Sequence, residues 1–85
     1  MIKTVYTDLF EDEIAEILDS LTYYDKITVD GKTYRINGEF ICGQIYLSGL
    51  KDFVHIDEHH NRNRYNRNYM IDKLLHDTFI VERKC

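Results

Sequence analysis

Residues 25–57 read DKITVDGKTYRINGEFICGQIYLSGLKDFVHID, and this stretch decides the fold. Short runs of β-prone residues alternate in it with dipeptides that are typical of turns. These dipeptides are Asp30-Gly31, Asn37-Gly38 and Ser48-Gly49. Asp-Gly and Asn-Gly favour a two-residue hairpin of type I′, because both central residues of that turn need a positive φ. The stretch therefore predicts an antiparallel meander on which the rest of the chain packs.

The last strand of this meander is predicted over Phe53–Asp57. Side chains alternate between the two faces of a strand. The alternation places Val54 and Ile56 towards the core. It places Phe53, His55 and Asp57 on the opposite face.

An amphipathic helix is predicted ahead of the meander. Thr7 is a suitable N-cap, and the helical pattern continues to about Leu21. Apolar residues recur at spacings of three and four, so they share one face, on which Ile14, Ile17 and Leu18 are expected to be buried. The opposite face is acidic. Its residues are Glu11, Asp12, Glu16 and Asp19.

A short second helix and a final strand are predicted further along the chain. Asn66 or Asn68 is the expected cap of a helix over about Tyr69–His76, and a strand follows at Thr78–Glu82. The run Ile2–Tyr6 is compatible with a strand, although it is brief and terminal. The predicted fold is α+β, with an N-terminal amphipathic helix packed on an antiparallel β-meander of about four to five strands and a short second helix before the last strand.

Composition indicates one domain spanning residues 1–85. Apolar residues make up 44% and charged residues 31%, as in an ordinary globular protein. Cys42 and Cys85 are too few for a disulfide framework. The first residues have no apolar region of a signal peptide, and no run approaches the roughly 18 apolar residues of a membrane span. A cytoplasmic location is therefore expected.

Charge is unevenly distributed along the chain. The net charge is −4, yet residues 1–25 carry seven acidic side chains against one lysine. Residues 58–76 carry four basic side chains against two acidic ones. Such asymmetry points to charged interaction surfaces.

One candidate site lies at the end of the last predicted meander strand. His55, Asp57 and His59 alternate there, so an extended chain would present two imidazoles and a carboxylate to a zinc-like ion. The alternative is a strand that runs into a polar segment with exposed histidines. Both interpretations stay open. The overall prediction nevertheless assigns no metal ligands and no cofactor to the protein.

A second candidate site lies in residues 58–68, EHHNRNRYNRN, which contain no aliphatic side chain and are predicted to be a protruding loop. The stretch 62–69 interleaves arginine, asparagine and tyrosine. Arginine binds phosphate through two parallel hydrogen bonds, and tyrosine offers a stacking face for an unpaired base. The same residue types are also enriched at protein–protein contacts, and a solvated loop is the third interpretation.

The predicted function is that of a small protein that docks on another macromolecule and modulates or inhibits it. A phage-type anti-defence inhibitor of a nucleic-acid-handling protein is one instance. The expected partner is another protein with a basic surface, because the acidic helix complements it. The candidate contact residues are Glu11, Asp12, Glu16, Arg62, Arg64, Tyr65, Arg67 and Tyr69.

Two alternatives accompany this prediction. The first is a nucleic-acid or nucleotide-binding module that uses the stretch 62–69, although the net negative charge argues against tight binding of free nucleic acid. The second is a histidine-based metal site or a small hydrolase. No P-loop and no Gly-x-Ser-x-Gly motif is present in the sequence, so enzymatic activity is not predicted.

Overall fold

The computed structural model describes residues 1–37 and 52–84, which form a six-stranded antiparallel sheet and two helices. The elements in chain order are β1 (Ile2–Thr7), α1 (Glu11–Ser20), β2 (Lys26–Val29), β3 (Lys32–Ile36), β4 (Phe53–Ile56), β5 (Arg62–Tyr65), α2 (Arg67–Leu74) and β6 (Thr78–Arg83). Neither helix of this described part has the length and apolar character that crossing a membrane requires.

The strand order across the sheet is β1-β6-β2-β3-β4-β5. The described strands β2 to β5 lie side by side in chain order, as in a meander, but β5 was predicted to be a loop, and β6 returns to lie between β1 and β2. The predicted fold was therefore wrong. The chain begins with a strand and not with the helix, and its described residues supply more strands than predicted. The α+β character and the second helix before the last strand are confirmed.

Strand β1 explains the first error. Its six residues pair with β6 in an unbroken register from Ile2 opposite Arg83 to Thr7 opposite Thr78. A brief terminal run carries little local signal for a strand. Its partner lies at the other end of the sequence, so only the folded chain supplies the backbone hydrogen bonds that hold it.

Helix α1 begins later than predicted, because Thr7 is the last residue of β1 and not an N-cap. Asp8 then has a left-handed φ of 54°, and Phe10 occupies the N-cap position. The Glu13 carboxylate accepts a hydrogen bond from the Phe10 backbone N–H at 3.1 Å. This contact satisfies one of the backbone N–H groups that a helix start leaves without a partner.

The hairpin between β2 and β3 confirms the turn prediction at Asp30-Gly31. The two residues have φ values of 51° and 74° and connect directly paired strands, as a type I′ turn requires. The turn predicted at Asn37-Gly38 extends into residues 38–51, and the turn predicted at Ser48-Gly49 lies within them. Residues 38–51 are outside the described residues. The two cysteines also lie outside them.

One face of the sheet is covered by both helices and forms the core. Ile14 and Leu18 of α1 are fully buried, as predicted, whereas Ile17 is half-buried. Helix α2 begins at Arg67 and is capped by Asn66, whose side chain accepts a hydrogen bond from the Tyr69 N–H at 2.8 Å. The sheet contributes a row of buried side chains from neighbouring strands. They include Val81, Phe79, Ile27, Val29, Tyr34, Ile36 and Phe53.

Strand β4 faces the other way from the prediction. Phe53 pairs with the buried Ile36 and is itself 1% exposed, so it faces the helices. Val54 and Ile56 lie on the opposite face, which neither described helix covers and which we call the uncovered face. Ile56 is 55% exposed there, whereas Val54 is only 6% exposed. The register with β3 sets these directions, because neighbouring residues in paired strands point to the same side.

Residues 62–65, predicted as loop, are strand β5, which lies at one edge of the sheet that the described strands form. The turn before it is built on Asp57, whose carboxylate accepts hydrogen bonds from the N–H groups of His59 and Asn61, each at 2.9 Å. Edge strands have few buried positions, so β5 has no apolar pattern from which sequence reasoning recognises a strand.

Candidate basic groove on the uncovered face of the sheet

The face of the sheet opposite the helices carries most of the basic residues of the strands. One row crosses all six strands, because each member is the register partner of the next. Its members from β1 to β5 are Lys3, Glu82, Lys26, Arg35, Val54 and Arg64. Adjacent strands lie about 4.8 Å apart, so this row places charged side chains close together on β1, β6, β2 and β3, while Val54 separates Arg35 from Arg64.

A groove of about 860 Å³ opens on this face. Among the described residues that line it, four are cationic and none is acidic. The cationic residues are Lys26, Arg35, Arg62 and Lys84. Its apolar floor includes Val54 and Ile56. We call this concavity the basic groove.

Two exposed tyrosines stand at the rim of the basic groove. Tyr23 and Tyr24 are 46% and 61% exposed, and their rings meet edge to face with centroids 5.4 Å apart. The Lys84 ammonium lies 5.2 Å from the centroid of the Tyr24 ring, which is a cation–π contact. The rim therefore combines an aromatic surface with positive charge.

Asp25 fixes this aromatic rim. Its side chain is only 4% exposed and accepts hydrogen bonds from the backbone N–H groups of Thr22, at 2.9 Å, and Lys84, at 3.1 Å. One buried carboxylate thus ties the turn that carries the tyrosines to the end of β6. A rim held in this way loses less conformational entropy when a ligand binds.

Two arginines of β5 are also held in position. Arg62 donates a hydrogen bond at 2.5 Å to the side-chain oxygen of Asn37, which is fully buried. Arg64 donates to the carboxylate of Asp52 at 2.9 Å, while its own side chain stays 47% exposed. These contacts orient the arginines on the uncovered face.

Glu82 is the one acidic residue that the described strands place on this face. Burial alone would raise the pKa of its carboxyl group, but ion pairs with Lys26 at 3.3 Å and Lys3 at 3.5 Å outweigh burial and lower it. Glu82 therefore stays ionised and offsets charge towards β1. Positive charge without an acidic neighbour in the described strands lies on β3, at Arg35, and on β5, at Arg62 and Arg64.

The predicted contact stretch 62–69 is divided between the two faces. Arg62 and Arg64 lie on the uncovered face, but Tyr65 stacks on Tyr69 on the helix side, with ring centroids 4.5 Å apart. Arg67 donates two hydrogen bonds to Asp19, at 2.8 and 2.9 Å, which join α2 to α1. Hydrogen bonding to Asp19 raises the pKa of Arg67. Arg67 therefore has a structural contact, and the stretch is not one continuous contact surface.

The predicted acidic contact residues Glu11, Asp12 and Glu16 are all exposed on α1, on the helix side of the sheet. These three carboxylates are thus separated from the basic groove by the sheet and the core. A chain with a net charge of −4 can present a basic surface for this reason.

The candidate metal ligands are engaged separately. His55 Nδ1 lies 3.0 Å from the Thr33 carbonyl oxygen, and the Asp57 carboxylate caps its own turn. The hydrogen bond from the Asn61 backbone is the main reason why the pKa of Asp57 is lowered. Residues 1–37 and 52–84 contain no group of three side chains arranged to hold a metal ion.

Of the four cations and two tyrosines of the basic groove, sequence reasoning singled out Arg62 alone. Lys26 and Arg35 occupy outward positions of well-predicted strands, so alternation could have found them. Tyr23, Tyr24 and Lys84 had no such signal, because they come together only through the pairing of β6 with β2 and the contacts of Asp25.

Comparisons of the chain with protein-family models, with curated proteins and with solved structures found no match.

Proposed function

We propose that this protein is a binding protein that takes single-stranded nucleic acid in the basic groove. The observation that carries the proposal is the composition of the groove, in which four cationic side chains and two exposed tyrosines line a concave sheet face without a described acidic residue. Groove-lining arginine and lysine neutralise phosphates, and aromatic rings stack on unpaired bases.

Single strands fit this surface better than duplexes do. The ring of Tyr24 is 61% exposed and offers a flat face to a base. In a duplex the base faces are hidden by stacking, and an aromatic side chain reaches only unstacked bases. The cationic residues on β2, β3 and β5 lie beside the rim, where a backbone crossing the strands would pass.

The net charge of −4 argues against binding of nucleic acid. The position of the acidic residues weakens this objection. Sequence alone favoured a basic protein as partner, because seven acidic residues precede position 26. The exposed carboxylates of α1 lie behind the sheet, and at physiological salt exposed charges more than about 8 Å apart are largely screened. Repulsion of a ligand in the basic groove is correspondingly weak.

The narrower predictions made from the sequence stay predictions. A role as an inhibitor, a phage anti-defence function and a cytoplasmic location are compatible with the proposal but add nothing that supports it. The proposal instead develops the nucleic-acid alternative and moves its centre from the stretch 62–69 to the groove between β2 and β5.

The test is fluorescence anisotropy with a labelled single-stranded oligonucleotide of about ten nucleotides, repeated over a range of salt concentrations. We expect a Kd of about 10⁻⁶ to 10⁻⁵ M near physiological salt. Replacing Arg35 or Arg62 by Ala should weaken binding and reduce the salt slope by about 0.7 for each phosphate that the variant no longer neutralises.

Lys32→Ala is the matched control, since it removes a cation from the same strand as Arg35 but from the helix side. It should leave the affinity almost unchanged. Tyr24→Ala should weaken binding by about 1–3 kcal/mol because a base can no longer stack there, whereas Tyr69→Ala, on the helix side, should not.

Equal decreases in affinity in Lys32→Ala and Arg35→Ala would contradict the proposal, because they would indicate non-specific electrostatic attraction that does not depend on the basic groove. A polyglutamate competitor that binds more tightly than the oligonucleotide would instead identify an acidic protein as the ligand of the basic groove.

A further inference from the structure

The edge strand β1 has an uncovered side that the proposed nucleic-acid function does not use. Within the described residues it pairs with β6 alone, so every second residue directs its N–H and C=O away from the sheet. Such an edge can template the addition of another strand.

In the described part of the chain, this edge lacks the usual protection against strand addition. The register with β6 runs without a bulge over six residue pairs. Lys3, the only charged residue of the strand, is drawn across the uncovered face towards Glu82, at 3.5 Å. Val5 and Ile2 are 64% and 54% exposed. Charged residues, bulges and proline are the common ways of blocking an edge.

A groove of about 360 Å³ accompanies the edge on the helix side, between β1 and α1. Its apolar floor is formed by Tyr6, Leu9 and Ile17, and Glu13 and Glu16 stand at its rim. We call it the edge groove.

The one cation among the described residues that line the edge groove is already engaged. Arg83 donates a hydrogen bond to Ser20 at 3.0 Å and lies 3.9 Å from the Asp25 carboxylate. The Glu13 carboxylate accepts the capping hydrogen bond of α1, so the negative charge that remains for a ligand is that of Glu16.

We propose that β1 and the edge groove together receive an extended segment of a basic partner protein as an added strand. The backbone of the segment pairs with β1. Alternate side chains of the segment lie over the groove, where an apolar one contacts Leu9 and Ile17 and a lysine or arginine pairs with Glu16. Such a segment pairs with the open backbone groups of β1, contacts the apolar floor and pairs with the acidic rim.

A second copy of the chain fits this surface less well. Its own β1 would present Ile2, Thr4 and Tyr6 on the helix side, none of them cationic. It would also bring a second acidic α1 towards the first, and like charges in contact are unfavourable. Nucleic acid is disfavoured by the same carboxylates.

The probe is an acetylated and amidated peptide of about six residues, the usual strand length, with threonine at every second position and valine and lysine in turn at the others. One face of this strand therefore carries both an apolar and a cationic side chain. Hydrogen exchange of the full-length protein followed by NMR is the readout. We expect the peptide to slow the exchange of alternate amides of β1, those whose N–H points away from β6. The opposite edge, β5, should be unchanged and serves as the internal control.

Glu16→Lys should weaken binding of the peptide by about fivefold, since it turns an attraction into a repulsion. Glu11→Lys is the matched control, with the same change of charge on the same helix outside the edge groove, and should have a much smaller effect. The same peptide with its alternate amides N-methylated on the pairing side should not bind, because it cannot donate to β1.

The proposal is overturned if the peptide does not bind, if it protects β5 and not β1, or if the N-methylated peptide binds equally well. Concentration-dependent protection of β1 without peptide, together with a dimer in sedimentation, would overturn it in favour of a second copy as the occupant.

Discussion

The same strands supply both faces of the sheet, but one face carries buried apolar side chains and the other carries exposed charged ones. On β3, Tyr34 and Ile36 are 1% and 2% exposed against the helices, while Arg35 between them is exposed on the other side. Burial of an apolar side chain contributes about 1.5–3 kcal/mol, so the covered face supplies the stability. The uncovered face consequently carries charge, whereas the edge groove takes its apolar floor from Tyr6, Leu9 and Ile17, which pack against the core.

The sharpest test of this comparison is to shorten one apolar residue on each face. Leu18→Ala on α1 should cost about 2–5 kcal/mol, because its side chain is fully buried. Ile56→Ala on the uncovered face should cost under about 0.5 kcal/mol, since its side chain is 55% exposed. Urea denaturation monitored by circular dichroism measures both. Similar decreases in stability would mean that the uncovered face is itself part of a core.

A smaller effect separates the arginines of the two faces. Arg67→Ala should destabilise by about 1 kcal/mol, because the two-fold hydrogen bond to Asp19 joins the helices but lies partly in solvent. Arg64→Ala should cost less than about half of that, since Arg64 is the more exposed of the two arginines in its ion pair with Asp52. Both values come from the same denaturation experiment. A larger effect for Arg64 would show that the uncovered face contributes to folding.

The smallest expected effect is the pH dependence due to Glu82. Its pKa is below the ordinary value of 4.5, since Lys26 and Lys3 outweigh burial. Its ion pairs therefore stabilise the fold fully above that ordinary value, and this contribution is lost as the pH falls through the lowered pKa. Urea denaturation of wild type and Glu82→Gln from neutral to acid pH measures this contribution. The free energy of unfolding should decrease less steeply at acid pH in the variant than in wild type.

Lys26→Met provides the control for this measurement, because it removes the shorter of the two ion pairs. It should move the decrease in stability to higher pH than in wild type. If the free energy of unfolding decreases identically at acid pH in all three proteins, the ion pairs of Glu82 do not contribute to stability.

Local features of the fold were predictable where their cause is local. The buried side of α1 at Ile14 and Leu18 follows from helical spacing, and Asp30-Gly31 forms a hairpin because these residues tolerate positive φ. The Asn66 cap was one of two predicted. In each case the deciding contacts join residues a few positions apart.

The candidate surfaces were only partly predictable. Arginine at positions 62 and 64 was singled out, but as part of a loop with Tyr65 and Arg67, which lie on the other side of the sheet. Alternation within β5 causes this division, and it became visible only once the stretch was known to be a strand. Glu16 of the edge groove was singled out, but the groove itself was not predicted, because β1 was not part of the predicted fold.

The sequence by itself determined the α+β class, the amphipathic helix and the separation of acidic from basic segments, since composition and short-range spacing encode all three. The tertiary structure decided the strand order, the facing of β4 and the meeting of Tyr24, Lys84, Arg35 and Arg62 around one groove. These features rest on pairings between the ends of the chain, such as Ile2 with Arg83. A residue's own neighbours in sequence do not encode such pairings, because their energy comes from backbone and side-chain contacts that exist only after the chain has closed on itself.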